Sequence, residues 1–162
     1  MAGLAALAEA LEATSLAAAM RHSLWLYPIV ETAHIAGFVV LVGSVVMLDL
    51  RLLGFTRTSS VRGLARHVLP WTWLALLVVV PTGFAMFSAH AVEFLDNPAL
   101  RIKLLLIAFA GLNAAAFHFG VYRSAPAWDR NQPPPPAARW AAALSLALWL
   151  GVIACGRLIA YV

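Results

Sequence analysis

An integral-membrane bundle of four α-helices is the fold class this sequence predicts, and three observations predict it. Apolar residues fill 63% of the 162 positions and charged ones 11%, against roughly 45–50% and about 25% in an ordinary soluble domain. The apolar residues fall into four long runs, each long enough to supply the ~20 helical residues that a hydrocarbon core of roughly 30 Å requires. The basic residues crowd into the gaps between those runs. Helix rather than strand follows because the runs do not alternate, and because lipid obliges a spanning segment to satisfy its own backbone groups. The length fits one domain, residues 1–162.

The first twenty residues, MAGLAALAEALEATSLAAAM, read as an alanine-rich helix carrying Glu9 and Glu12. No basic residue precedes Arg21, which argues against a secretory leader. The segment is expected to lie on the membrane surface as an N-terminal interfacial amphipathic helix. The spans follow at roughly Leu24–Leu48, Leu69–Ala89, Pro98–Tyr122 and Ala138–Val162. Asp96-Asn97-Pro98 reads as an N-cap followed by a first-turn proline. Pro70 likewise sits in the first turn of the second span, and Pro81 at its middle, where a kink is expected. Trp25, Tyr27, Trp71, Trp73, Tyr122, Trp140 and Tyr161 mark span ends, as interfacial aromatics do.

The connections differ in kind. Gly54–Val68 carries Arg57, Arg62, Arg66 and His67 and is compatible with a short surface helix. Ala91–Asn97 is short and acidic, whereas Ser124–Ala137 contains Pro133–Pro136 and reads as a stiff spacer. Seven basic residues flank the first and third connections and four lie on the other side. That bias places those connections in the cytoplasm and both termini outside, periplasmic in a bacterial inner membrane. Topology therefore accounts for the net charge of +4 without a nucleic-acid partner. Cys155 is the only cysteine, so neither a disulfide framework nor a multi-cysteine metal site exists within one chain.

Ionisable groups inside spans are costly and need a reason. Glu31 and His34, three residues apart, share one helical face. Glu31, Lys103 and Arg157 lie at a common depth, about 10 Å outward of the midplane. They are expected to meet as a polar cluster that either staples the bundle or orients His34 in a pocket. Asp49, Arg51, His67 and His118 form a second set nearer the cytoplasm, with Asp49 expected to salt-bridge Arg51 or Arg66. Two imidazoles facing each other across a bundle are what b-type haem requires. His34 and His118 are the first candidates as haem or metal ligands, with Gly37 leaving space beside His34. Depth instead pairs His34 with His90 and His67 with His118. The sequence has no Cys-x-x-Cys-His, no glycine-rich phosphate loop, no His-Glu-x-x-His and no methionine ladder. No residue set assigns a catalytic reaction.

The stretches YPIVETAHIAGF, VMLDLRLLGF, HVLPWTW, Phe117-His118 and GRLIAYV resemble an uncharacterised family of four-helix bacterial inner-membrane proteins, from about Leu11 to the end. The resemblance implies weight on Glu31, His34, Asp49, Arg51, Trp71, His118 and Arg157. The first span is also faintly similar to the copper-resistance D proteins and the haem-containing membrane protoporphyrinogen oxidases, which place a histidine before small residues early in a span. Three functions follow as expectations. The first is a b-type haem protein that transfers electrons or anchors a redox partner. The second is a cofactor-free scaffold or subunit, in which small-residue faces admit a neighbour such as a second copy. The third is a copper or small-solute transporter.

Overall fold

The computed structural model describes residues 2–161. Met1 and Val162, the ends of the expected surface helix and fourth span, lie outside the described residues. The chain runs α1 (Ala2–Glu12), α2 (Ser15–His22), α3 (Leu26–Leu53), α4 (Val61–Ala89), α5 (Ala91–Asp96), α6 (Pro98–Phe119) and α7 (Pro136–Leu158). A 3-10 turn, Val121–Ala127, follows α6. No strand occurs among the described residues. Helices α3, α4, α6 and α7 are long and apolar enough to cross a membrane, so the fold is the expected all-α membrane bundle.

Two boundaries differ from expectation for local reasons. The N-terminal segment is two helices bent by 61°, not one. Thr14 breaks it: its Oγ1 donates to the Leu11 carbonyl and accepts from the Ala17 N–H, capping α2. The second span begins at Val61, eight residues before the expected Leu69, because Ser60 caps it by accepting from the Gly63 N–H. Most of the expected surface loop Gly54–Val68 is thus the first two turns of α4. Pro70 and Pro81 both lie inside that helix, which continues through them. The Asn97 cap holds as read: its Oδ1 accepts from the Leu100 N–H, 3.0 Å away, with Pro98 in the first turn.

Helix α4 packs on α3, α3 on α7, and α7 on α6. Among the described residues the α4 and α6 backbones make no contact, so the four spans form an arc with one open side. The connections after α3 and α6 lie at one end, here the loop end. The start of α3, the end of α7, and α1, α2 and α5 occupy the other, with α1 against α5 and α2 against α4. The apolar core sits at the loop end, where Leu48, Leu52, Val61, Val68, Phe117 and Trp128 are buried together.

Candidate functional site

The loop end is built around Arg51, whose side chain is wholly buried. Gly54, at φ 101° in the left-handed region, ends α3 and turns the chain back over it. Arg51 then donates from Nε to the Ser59 carbonyl at 2.7 Å, and from Nη2 to the carbonyls of Arg57 at 3.4 Å and Asp129 at 3.0 Å. One guanidinium therefore stitches together two connections that are far apart in sequence. Asp129 completes the stitch. Its Oδ1 accepts from the Arg62 N–H and its Oδ2 from the Ser60 hydroxyl, both at 2.8 Å, so it caps the start of α4 from another loop. These bonds, the Arg62 N–H foremost, hold the Asp129 carboxyl below the usual carboxylate value of 3.8. The proline-rich connection is thus more than a spacer. It buries Trp128, whose Nε1 donates to Ser124, and it presents Asp129.

Directly beneath this hub is a cavity of about 120 Å³ lined from all four spans. Its polar lining is Asp49 and Ser44 from α3, Thr72 from α4, Asn113 and His118 from α6, and Ser145 from α7. Asp49 is 5% exposed, and its Oδ2 has no hydrogen-bond partner among the described residues. Ser145 is the hydroxyl that interacts with its carboxyl across the cavity. His118 lies against the rings of Tyr122 and Phe117, with centroids 5.0 and 5.9 Å away. A cavity of comparable size lined only by hydrocarbon stays dry, whereas the polar groups set among apolar side chains here, at about 30 Å³ per water, let this one hold several waters or one small solute.

The expected salt bridge of Asp49 with Arg51 or Arg66 does not form: the ion pairs among the described residues are His90–Glu93 and Arg101–Asp96. Residues two apart on a helix point to nearly opposite sides. Asp49 therefore faces the cavity while Arg51 faces the loops, and Arg66 is exposed. The cluster of Glu31, Lys103 and Arg157 does not assemble either. Glu31 is exposed, Arg157 turns back onto Tyr161 by a hydrogen bond and a ring contact, and Lys103 reaches between α6 and α7 toward Gly156. Charged groups near a helix end turn to the interface or to a local ring more readily than they desolvate as a trio.

The histidines separate in the same way. His34 inserts between α3 and α4, where Nδ1 lies 3.1 Å from the Val79 carbonyl and 3.0 Å from the Thr82 hydroxyl. Gly83, not Gly37, makes its room: a Cβ on Gly83 would lie 3.0 Å from the ring, whereas Gly37 packs on Val78 and Val79. His118 shares the cavity with Asp49, fifteen residues further along α3 than His34. That is about 22 Å of helix, too far for both imidazoles to meet on one iron. The joint metal or haem site at His34 and His118 is corrected accordingly. His67 and His90 are exposed, His90 lying beside Glu93 and Phe94. Among the described residues no three His, Cys, Asp or Glu side chains converge on a metal-sized site.

Sequence reasoning missed Ser44, Thr72, Asn113, Ser145 and Asp129. The signal within the spans was Asn113, an amide in an otherwise apolar run. Asp129 had no such signal, because a carboxylate in a polar loop is ordinary.

The chain belongs to a family of unknown function, DUF6644, whose model matches residues 24–162. This agrees with the resemblance to an uncharacterised membrane family, although the match starts at Leu24 rather than Leu11 and so leaves α1 and α2 outside. It lends nothing to the copper-resistance D or protoporphyrinogen oxidase similarities. No curated protein and no solved structure matches the chain.

Proposed function

We propose that this protein binds a small polar solute inside the membrane, at the Asp49 cavity, as the binding step of a small transporter. The observation that carries the reading is the buried Asp49 Oδ2, left without a partner among the described residues and facing a cavity that four separate spans line. Leaving a carboxylate oxygen buried and unmatched costs several kcal/mol, so a structure that keeps one has something to set against it. The open side of the arc, between α4 and α6, is where rearrangement would admit a solute without breaking a helix–helix contact. The count of seven basic residues to four supports a bacterial inner membrane with the loop end in the cytoplasm, so the cavity would face inward. Cysteine labelling of the proline-rich connection in a Cys155→Ser background tests that orientation. Labelling from the outside reverses it.

A hydrophobic carbodiimide, which modifies carboxyl groups held in apolar surroundings, tests the site. Asp49 is expected to be the modified residue in intact membranes, and Asp49→Asn to abolish the modification. If the reagent marks Glu31 and leaves Asp49 untouched, the proposal fails.

A haem-based redox role keeps one supporting observation. The Val79 carbonyl can take the His34 Nδ1 proton, which leaves Nε2 available to a metal, the usual arrangement of a ligating histidine. A second histidine would have to be His90, and a visible absorption band lost in His34→Ala but kept in His67→Ala supports that reading. The scaffold reading draws on Arg51, whose work is to join loops.

A further inference from the structure

We propose that the ligand of this cavity is a small monovalent cation, of the alkali or ammonium class. This inference rests on the solute-binding reading and adds the charge and chemistry of the solute. Two of the polar groups around the cavity give a donor to backbone carbonyls. Thr72 gives its hydroxyl proton to the Val68 carbonyl at 3.1 Å, so its oxygen offers the cavity only lone pairs. Asn113 turns its amide Nδ2 to the Ala141 carbonyl at 2.9 Å, which leaves its Oδ1 as an acceptor. Asp49 contributes Oδ2, an acceptor without a partner. The hydroxyls of Ser44 and Ser145 can turn their lone pairs inward, and His118 when neutral offers one ring nitrogen.

Among the described residues no Lys or Arg lines the cavity. Arg51, only two residues from Asp49, commits Nε and Nη2 to the loop carbonyls above, and its buried Nη1 has no partner among the described residues. The cavity therefore combines one negative charge with a surplus of acceptors, and the complement of that surface is a cation or a cluster of N–H or O–H donors. Three features narrow the class. The donors are oxygens, with no thiolate or thioether among the lining residues, so soft copper(I) is disfavoured. A single carboxylate suits a single positive charge, whereas calcium and magnesium sites recruit more anionic oxygen. The volume of about 120 Å³ holds a partly hydrated ion and leaves no room for a large organic cation.

The test is thermal unfolding of the detergent-purified full chain in NaCl, KCl, NH4Cl or choline chloride at constant ionic strength. At least one of the three small cations is expected to raise Tm saturably, by several degrees above the choline baseline. Asp49→Asn should erase that rise, and Thr72→Val, which keeps shape and removes one oxygen, should weaken the apparent affinity about tenfold. The three salts distinguish alkali ions from ammonium. Identical curves in all four salts, or a wild-type response in both variants, overturn the cation assignment. Carbodiimide labelling of Asp49 separates the two readings. Labelling that no cation protects leaves the solute pocket standing and removes the cation, whereas no labelling of Asp49 removes both.

Discussion

The two ends of this bundle solve the same problem in opposite ways. Both must place charged side chains within a turn or two of lipid. At the loop end the charges turn inward. Arg51 is buried and divides its donors among three carbonyls, while Asp129 caps α4 from the facing connection. At the terminal end they turn outward. Glu31 and Arg157 are exposed, and the joints there run between helix ends: Asn97 Nδ2 donates to the Ile159 carbonyl, and the exposed Arg21 bridges the Glu12 and Ala89 carbonyls. The apolar core follows the first pattern and gathers at the loop end. A buried cation is tolerated where irregular backbone supplies carbonyls that need a donor, and helix ends with capped termini supply few. The loop end is thus the rigid frame, and the acceptor-rich cavity hangs beneath it.

The contrast can be broken most severely at Arg51. Replacing it with methionine keeps the bulk but leaves the carbonyls of Ser59 and Asp129 without their donor, which should cost about 3–5 kcal/mol or prevent folding. Arg51→Lys should recover only part, since one ammonium cannot span the positions that the planar fork reaches. Unfolding followed by tryptophan fluorescence in detergent measures both variants. Stability equal to wild type in Arg51→Met would remove the hub from the account.

A smaller effect is expected at Asp129, where Asp129→Ala removes an N-cap and should cost about 1–2 kcal/mol near neutral pH. The sign of its pH dependence is fixed. The folded carboxyl titrates below its ordinary 3.8, so its stabilisation is complete above that value and is lost as pH falls through the lower, folded one. The difference between wild type and variant should hence stay flat from neutrality down to about pH 5 and shrink below 3.8. A difference that grows on acidification contradicts the capping role.

Gly83→Ala sharpens the comparison within the spans. The added methyl would meet the His34 ring at 3.0 Å, forcing a shift of a few tenths of an ångström and costing about 1 kcal/mol. In a His34→Ala background that cost should vanish, and a double-mutant cycle reads the coupling directly. The smallest changes are expected at the terminal end, where Glu31→Ala and Arg157→Ala should each alter stability by less than about 0.5 kcal/mol. A drop of several kcal/mol from either would restore the three-charge cluster that the structure does not form.

Much of the fold was legible in the sequence because lipid imposes a strong one-dimensional constraint. Length and apolarity alone found four spans, and Asn97-Pro98 located the start of α6 to the residue. The start of α4 was not legible in that way, because Ser60 and Asp129 cap it from two different loops. Hydropathy sees neither. The candidate site was half legible. His118 stood out as an ionisable group in an apolar run, whereas Asp49, just past the expected end of the first span, read as a boundary salt bridge. Their company was not legible, because Ser44, Thr72, Asn113 and Ser145 are unremarkable singly and become a site only where four helices converge.

The sequence by itself determined that the chain spans a membrane four times, since no other solvent accepts so much contiguous apolar surface in helices of that length. The two-residue spacing of Asp49 and Arg51 on a 3.6-residue helix already sends them in different directions, although in sequence the two charges read as a salt bridge. Only the tertiary structure decided what each of them meets. The direction of a side chain is set by local geometry, whereas its partners are set by which helices lie alongside. Here the stitching of two distant loops over α3 and the open side between α4 and α6 made that choice, leaving Arg51 among carbonyls and Asp49 facing a cavity.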